Sequence, residues 1–383
     1  ENPTQTILSS AKRENIVGQK HLSIPLPAEL YGQLRANSKG LDLANDSALI
    51  HLNQTAQQFA KHQWSAAPMG EHFQTNDAVA PQSIINPARH SDVVGYVQEA
   101  TTEQVEQALN NAQAVQDIWA RTAKDTRASY LLRAADLMEA RLEELMVLLC
   151  RESGKTYANA IAEVREAVDF LRYYATQMID LDANAEVEPL GTMLCISPWN
   201  FPLAIFTGQV AAALVAGNTV IAKPAEQTPL IAAQAIQILW QAGVPQAAVQ
   251  LMPGRGETVG AQLSAAEQVQ GIMFTGSTEV AKILQKTVAK RLSKTGESIP
   301  LIAETGGQNA MIVDSSALTE QVVLDVVSSA YDSAGQRCSA LRVLCVQEDN
   351  ADAVIQMLKG AMQQLQVGNP YLLKTDIGPV IDA

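Results

Sequence analysis

The second half of the chain repeats a strand-then-helix pattern, and this pattern limits the possible folds more than any other feature. After Pro189, short apolar runs alternate with Ala- and Gln-rich stretches of helical length. Strands and helices that alternate in this way predict a parallel sheet with helices on both faces. The apolar runs read TMLCIS, NTVIAK, VQLM and GIMFTG. We therefore predict a doubly wound α/β fold.

Helices precede this region, and a second group of strands follows it. Apolar residues recur at helical spacing in residues 105–118, 131–149 and 161–171, which predicts a layer of three helices. After the sheet, the runs PLIAE, AMIVD and RVLCVQ flank a predicted helix at residues 320–333 and indicate the start of a second α/β domain. Residues 1–80 are polar and irregular, and we interpret them as a connector and arm, extended at SIPLPAEL and helical near residues 48–62.

Composition narrows the class of partner. The net charge of −13 argues against nucleic acid or an anionic membrane surface. No apolar run approaches the roughly 18 residues that span a bilayer, and residues 1–30 lack the apolar core of a signal peptide. The four cysteines have no CxxC spacing, so we expect reduced thiols and a cytoplasmic location. The chain begins with Glu rather than Met, and we expect it to be a piece of a longer protein.

Cys338 is the cysteine whose surroundings favour chemistry. It follows Gly-Gln-Arg in a polar loop, and the adjacent Arg337 favours a thiolate. Cys195 and Cys345 lie in apolar strand runs and are expected to be buried, and nothing near Cys150 indicates a role. The five histidines all precede the sheet, which disfavours a Cys–His hydrolase, and no metal-ligand spacing occurs.

A carboxylate and a carboxamide are candidates to assist this thiol. Glu304 ends an apolar run and precedes Gly-Gly, and a carboxyl buried at a strand end suits general-base work. Asn200 lies in SPWNFP, where prolines on both sides stiffen the backbone and suit the amide to hold an oxyanion. Two alternatives stay open: Glu304 faces solvent above an ordinary turn, or Asn200 caps the following helix.

Two loops after strands are candidates for a dinucleotide. The glycines of VQLMPGRGETVG nearly copy the dinucleotide fingerprint, but the final spacing is one residue too long. Gly276 and Ser277 instead open a helix whose N-terminus suits an anion. Lys223 and Glu226 follow another strand, where a carboxylate can take ribose hydroxyls and repel a 2′-phosphate. Each loop alone could equally be an ordinary polar connection.

Five motifs together carry a resemblance. SPWNFP, KPAEQTP, FTGSTEV, ETGGQNA and GQRCSA occur in the order and spacing of the aldehyde dehydrogenase superfamily, and the likeness covers residues 81–383. REAVDFLRYYA and GRGETVGAQL make it closest to the L-glutamate γ-semialdehyde (pyrroline-5-carboxylate) dehydrogenase module of bifunctional proline utilization enzymes. In that group a flavin-dependent proline dehydrogenase barrel precedes the module, and IPLPAELYGQLRANSKGLDLAND resembles the connector that leaves the barrel.

The resemblance implies a fold and a reaction. The fold is a Rossmann-type NAD-binding domain at 81–299 and an incomplete α/β catalytic domain at 300–383, after the connector and arm. The reaction is the NAD-dependent oxidation of L-glutamate γ-semialdehyde to L-glutamate. Cys338 is the nucleophile, Asn200 with the Cys338 N–H holds the oxyanion, and Glu304 activates water. FAD belongs to the preceding barrel, and a homo-oligomer stays open.

The resemblance also assigns binding residues. Arg337 suits the substrate carboxylate, because its planar guanidinium binds carboxylates through two hydrogen bonds. The implied substrate residues are Phe201, Arg337 and Ser339, and the implied cofactor-binding residues are Ile196, Ser197, Trp199, Lys223, Glu226, Gly256, Gly276 and Ser277.

The sequence departs from the family pattern in two places. A later Glu-x-Phe-Gly-Pro segment and a substrate-anchoring loop do not occur, so we expect this chain alone to oxidise aldehyde poorly or not at all. Residues 178–189 are short compared with relatives that build an oligomerisation hairpin there. A non-catalytic fragment that binds NAD or stabilises an oligomer, and a dehydrogenase of another semialdehyde, therefore remain alternatives.

Overall fold

The computed structural model describes residues 23–73, 80–181 and 187–382. Part of the predicted arm and part of the short segment at 178–189 lie outside these ranges. None of the helices in the described ranges is long and apolar enough to cross a membrane.

The N-terminal region contains more regular structure than the sequence predicts. SIPLPAEL is not wholly extended, since Pro27–Glu29 forms a 3₁₀ turn with a proline that presets its first φ angle. The short predicted helix is confirmed as α1, Asp46–Phe59. Three strands were not predicted. They form a small sheet in which the third strand lies in the centre, parallel to the first and antiparallel to the second: β1, Trp64–Ala66; β2, Gln82–Ile85; β3, Val93–Val97.

The predicted helical layer has four helices rather than three. The periodic stretch at 131–149 is divided at Arg141, whose φ of −104° and ψ of 17° end one helix and begin the next. Its N–H still bonds the carbonyls of Leu137 and Met138, so the apolar spacing continues across the break and conceals it. The helices are α2, Thr102–Arg121; α3, Lys124–Ala140; α4, Leu142–Ser153; α5, Tyr157–Asp180.

A five-stranded parallel sheet forms the centre of the molecule and confirms the predicted fold class. Its strands are β4, Thr192–Ile196; β5, Thr219–Lys223; β6, Val249–Leu251; β7, Val269–Gly276; β8, Leu301–Thr305. The helices between them are α6, Ala204–Val215; α7, Pro229–Gln241; α8, Ala261–Ala265; α9, Thr278–Val288. A π-helical turn, Gly256–Gly260, precedes α8.

Both faces of this sheet are buried, as the continuous apolar runs predict. Leu194, Ile221 and Ile272 face one core, which they share with residues of α2 and α9. Met193 and Ala222, one position along their strands, face the other core with residues of α3 to α7. The alternation of side chains along each strand thus divides the sheet between two helical layers.

The predicted grouping of PLIAE with the later strands is wrong. β8 pairs with β7 and is an edge strand of the central sheet. The remaining strands pair with each other in parallel, and their sheet packs on two helices around a small core. These elements are β9, Asn309–Val313; α10, Thr319–Tyr331; a 3₁₀ turn, Asp332–Gly335; β10, Leu341–Val346; α11, Glu348–Gln364.

The strand order defines where a ligand can bind. In the order β6-β5-β4-β7-β8, the chain moves outward from β4 in one direction and then returns to its other side. At such a switch point, the loops after neighbouring strands turn to opposite faces and leave a crevice at the carboxyl edge.

Candidate active site

A cavity of about 540 Å³ lies at this carboxyl edge. Its walls come from the loops that follow β4, β5, β7 and β8 and from the loop before β10. The cavity brings together every predicted catalytic residue and every predicted cofactor-binding residue. They are Asn200, Glu304, Cys338, Ile196, Ser197, Trp199, Lys223, Glu226, Gly256, Gly276 and Ser277. Arg337 also lines it, whereas Phe201 and Ser339 are not part of the lining.

One end of the cavity holds a paired carboxylate. Oε1 of Glu226 accepts a hydrogen bond from the Gly256 N–H at 2.7 Å and lies 3.2 Å from the Lys223 Nζ. Lys223 is 3 % exposed, and its ammonium also donates to the Pro224 carbonyl at 3.1 Å. This arrangement fixes an acceptor and a cation side by side, which suits vicinal hydroxyls. The glycine-rich loop that nearly copies the dinucleotide fingerprint thus contacts Glu226 through its second glycine, Gly256.

A helix N-terminus forms the next part of the wall. The Ser277 hydroxyl caps α9 by accepting the Val280 N–H at 3.2 Å. Gly276, Ser277 and Val280 all line the cavity. The free N–H groups of a first helical turn attract anions, so this wall suits a phosphate.

Asn200 is held from both sides. Its Nδ2 donates to the Gln336 carbonyl at 2.9 Å, and its own carbonyl accepts from the Lys155 Nζ at 2.8 Å. The alternative that Asn200 caps the next helix is wrong. Glu163 takes that place, because its Oε2 accepts the N–H groups of Leu203 and Ala204. A carboxamide nitrogen carries two N–H bonds, so Asn200 keeps one for an oxyanion.

The Cys338 thiol is exposed on a constrained loop. Ser333, Ala334 and Gly335 have φ values of 56°, 55° and 69°, a left-handed run that only glycine adopts without strain. Asn309 then fixes the far side of the loop. Its Nδ2 donates to the carbonyls of Cys338 and Ala340 at 2.7 and 3.1 Å.

Glu304 is exposed, and the expectation of a buried carboxyl is wrong. The physical reason is its strand. β8 has a neighbour on one side only among the described residues, so the end of the strand is open. The alternative position facing solvent is therefore observed, but Glu304 lies there on the wall of the cavity that also contains Cys338.

A second cavity of about 380 Å³ lies on the other side of Cys338 and Glu304, which line both spaces. Phe170 and Tyr174 form an aromatic wall, with ring centroids 5.9 Å apart and planes at 12°. Gly208 permits this wall, because a Cβ there would lie 2.9 Å from the Phe170 ring. The thiol and the carboxylate thus line both cavities, so a molecule bound in either could reach them. We call the first, which contains the paired Lys223 and Glu226, the polar cavity, and the second the aromatic cavity.

The Arg337 side chain already has partners within the protein. Its guanidinium forms an ion pair with Asp332 and donates to the Asn159 Oδ1 at 2.7 Å. Its Nε is buried with no hydrogen-bond partner among the described residues. Two other predicted substrate residues lie apart from the cavities: Phe201 lies beneath the Lys155 ammonium, 5.1 Å from its ring centroid, and Ser339 is exposed.

The remaining cysteines differ from one another. Cys150 and Cys195 are buried, and burial raises the pKa of both thiols, which makes them poor nucleophiles. The expectation that Cys345 is buried is wrong, since it is exposed. β10 pairs only with β9 in the described chain, and the Cys345 face of that pair is uncovered.

Sequence reasoning missed several residues that support the site. Lys155 and Glu163 hold the Asn200 loop, Asn309 holds the Cys338 loop, and Gln336 links the two. These residue types are common in exposed loops and helices. The burial of Lys155 and Glu163 and the loop contacts of Asn309 and Gln336 distinguish them only in the folded structure. The side chain of Gln336 donates to the Pro379 carbonyl and accepts the Ile381 N–H, a contact across more than 40 positions that no local pattern indicates.

A thiol, a carboxylate and a carboxamide therefore meet at the switch point of a parallel sheet, beside a wall built for hydroxyls and phosphate. The chain belongs to the aldehyde dehydrogenase family, whose sequence profile matches residues 73–383.

Individual relatives are similar over nearly the whole chain. The bifunctional protein PutA of Escherichia coli (strain K12) is 59 % identical over 382 residues, which are 100 % of this chain and 29 % of that protein. The structure of proline utilization A from Bdellovibrio bacteriovorus, inactivated by N-propargylglycine, superposes with a TM-score of 0.86 at 31 % identity, covering 91 % of this chain and 37 % of that one. The 1-pyrroline-5-carboxylate dehydrogenase from Thermus with bound NAD gives a TM-score of 0.85 at 32 % identity, covering 91 % and 70 %. The chain thus spans less than a third of the length of its PutA relative.

Proposed function

We propose that this chain is the core of an NAD-dependent L-glutamate γ-semialdehyde dehydrogenase module. The main observation in support of this proposal is that Cys338 and Glu304 line both the polar cavity and the aromatic cavity. A nucleophile and a base between two ligand spaces suit an oxidation that joins an aldehyde on one side to a hydride acceptor on the other. Similarity to proteins named for pyrroline-5-carboxylate and proline utilization supports the choice of aldehyde.

The residues of the polar cavity fit NAD. Glu226 and Lys223 suit the ribose hydroxyls, and the cap of α9 suits the pyrophosphate. The Glu226 carboxylate also repels a 2′-phosphate, which favours NAD over NADP. When bound there, NAD⁺ would supply the acceptor for the hydride that leaves the substrate carbon.

The chain's own groups perform the other steps. The Cys338 Sγ, as thiolate, forms a bond to the aldehyde carbon, and the carbonyl electron pair moves to oxygen as an oxyanion. The second N–H of Asn200 and the Cys338 N–H donate to this oxyanion. After hydride loss leaves a thioester, Glu304 takes a proton from a water molecule, which adds to the thioester carbon. The C–S bond then breaks and releases glutamate and the thiolate.

Substrate recognition is proposed for three residues. Arg337 binds the α-carboxylate through the N–H groups of its guanidinium that its contacts with Asp332 and Asn159 leave free. Phe201 and Ser339 are the other two proposed substrate residues, and both lie outside the linings of the two cavities.

We also propose that a proline dehydrogenase domain with FAD precedes this module in the same polypeptide, with residues 1–80 as connector and arm. The support is the 59 % identity to a bifunctional protein of which this chain is 29 %. The domain boundaries at 80 and 299 are also proposals. β8 follows the second boundary but pairs with β7, which precedes it.

The test follows NADH absorbance with L-glutamate γ-semialdehyde, using this chain and the full-length protein that contains it. We expect turnover with NAD in the full-length protein and little or none in this chain alone. Acetaldehyde and succinic semialdehyde serve as competing substrates. A full-length protein that binds NAD but oxidises no aldehyde would favour the non-catalytic alternative and would refute the proposed function.

A further inference from the structure

We infer that Lys155 is a positioning residue that orients Asn200 for oxyanion stabilisation. The inference rests on the proposed function. Lys155 is 6 % exposed, yet it is charged and lies outside both cavity linings. Its Nζ donates to the Asn200 carbonyl at 2.8 Å and lies 3.3 Å from the Glu163 Oε1. A buried ammonium needs such partners, because desolvation without them is costly.

Lys155 and Glu163 together fix both ends of one loop. Lys155 holds the backbone at Asn200, and Glu163 holds it at Leu203 and Ala204 through N–H bonds of 3.2 and 3.0 Å. The ion pair joins the two ends, and its exposed side-chain fractions are 5 % and 1 %. The loop between β4 and α6 is therefore held as one unit.

The chain segment that carries Lys155 is itself constrained. Gly154 before Lys155 has a φ of 68° and ends α4 in the left-handed conformation. Thr156 after it caps α5 with its hydroxyl, and Glu163 lies two turns into that helix. Lys155, just before α5, and Glu163, within it, thus both reach the loop from the start of this helix.

A buried ion pair is often no more stabilising than apolar residues of equal size, so stability alone does not explain this pair. Orientation does. The Asn200 side chain donates one N–H to the Gln336 carbonyl. The direction of its second N–H therefore depends on the position of the Asn200 backbone, which Lys155 holds. Misplacing a catalytic donor by about 1 Å can cost about a hundredfold in rate.

The experiment is a double-mutant cycle in the full-length protein. We expect Lys155→Met to lower kcat by about 10- to 100-fold while the KM for NAD changes by less than about twofold. In an Asn200→Ala background, the same substitution should cost almost nothing further, because the group it orients is gone. An equal fold-loss in both backgrounds would show a merely structural role and overturn the inference.

Two further variants keep the test decisive. Arg172→Met removes another buried cation on α5, which pairs with Glu139 and does not contact Asn200, and should leave kcat within about twofold of wild type. If Lys155→Met does not fold, the cycle is run with Glu163→Gln, which keeps an acceptor for the loop but removes the charge. The turnover of the wild type shows which proposal has failed. An inactive wild type refutes the proposed function. An active wild type in which the effects of the Lys155 and Asn200 substitutions simply add refutes only this inference.

Discussion

Cys338 and Cys345 are both exposed thiols seven positions apart, and their surroundings separate them. Cys338 lies on a loop tied by Asn309 and Asn200 to two elements, and it lines both cavities. Cys345 lies on an open strand and lines neither. Exposure alone therefore does not distinguish a nucleophile, and the contacts around it do.

Replacing the proposed nucleophile should stop the chemistry without disturbing the dinucleotide. We expect Cys338→Ser in the full-length protein to lower kcat by more than about a thousandfold, since a serine hydroxyl is far less acidic than a thiol and the Glu304 carboxylate is too weak a base to form its alkoxide. NAD affinity, measured by fluorescence quenching, should stay within about twofold, because Lys223 and Glu226 are untouched. Cys345→Ser is the matched control and should turn over normally. Retained NADH formation in Cys338→Ser would contradict the assignment.

Replacing the proposed base should separate the two halves of the reaction. Glu304→Gln should still form one NADH per site and then stall at the thioester, with steady-state turnover lower by about 10²- to 10⁴-fold. Rapid-mixing absorbance measures the burst and the steady rate together. Unchanged steady-state turnover would mean that another group activates the water.

Much of this site was predictable from sequence, because strand ends and motif loops are local features. Lys223, Glu226, Gly276 and Ser277 follow apolar runs that form strands, and parallel strands place such residues on one edge. Lys155 was not predictable, since a buried lysine and a surface lysine look alike in sequence. The exposure of Glu304 was missed for a related reason: an apolar run does not reveal that its strand lies at a sheet edge.

At the scale of elements, the apolar runs located every strand of the central sheet but not the pairing of β8 or the helix break at Arg141. Pairing depends on contacts between distant segments, and the break leaves the apolar spacing intact. The small sheet of β1 to β3 was missed because each of its strands includes exposed residues, so none forms the fully buried apolar run seen in β5 and β6.

One helix end makes stability depend on pH. Glu152 is buried, and its carboxyl accepts the N–H groups of Leu230 and Ile231 at the start of α7 at 2.6 and 3.0 Å. Burial raises the pKa of Glu152 from 4.5 to about 8, with those N–H groups opposing the shift. The unfolded chain releases this proton near the ordinary value, whereas the native state keeps it. The native state thus binds more protons between these values, and the free energy of unfolding should fall as pH rises from 5 to 8.

Glu152→Gln should remove that part of the pH dependence. We expect the wild type to lose stability relative to the variant by at most about 1.4 kcal/mol per pH unit across this interval. Urea unfolding at pH 5, 6, 7 and 8 gives the free energy of unfolding of each protein against pH. The difference between the two slopes is unaffected by any pH-independent change in stability that the glutamine causes. Parallel pH profiles for the two proteins would rule out a raised pKa at this site.

At the scale of the whole molecule, the segment after α11 returns to the helical layer and the active-site loop. The Tyr371 hydroxyl donates to the Val147 carbonyl, and Gln336 bonds the backbone at Pro379 and Ile381. Gly378 makes this approach possible, because a Cβ there would lie 2.3 Å from the Gly154 carbonyl oxygen. Among these contacts, the two regions of the fold approach each other backbone to backbone at Gly378 and Gly154.

Gly378→Ala should disrupt this contact. We expect a loss of about 1–3 kcal/mol in the free energy of unfolding, since the obstructing atom belongs to backbone and cannot move aside cheaply. Gly360→Ala in α11 is the matched control: nothing lies within 4 Å of its Cβ position, and the helix should gain up to about 1 kcal/mol. Urea denaturation measures both. Equal effects for the two variants would mean that the segment is not packed as described.

The wall between the two cavities has a consequence for how such a chain can change over time. Of the lining residues, only Phe274, Thr275, Glu304 and Cys338 belong to both spaces. A substitution at Phe170 or Gly208 therefore reshapes one cavity and leaves the contacts of the other intact. Under the proposed function, selection can therefore reshape the aromatic cavity while the dinucleotide contacts of Lys223 and Glu226 stay fixed within one fold.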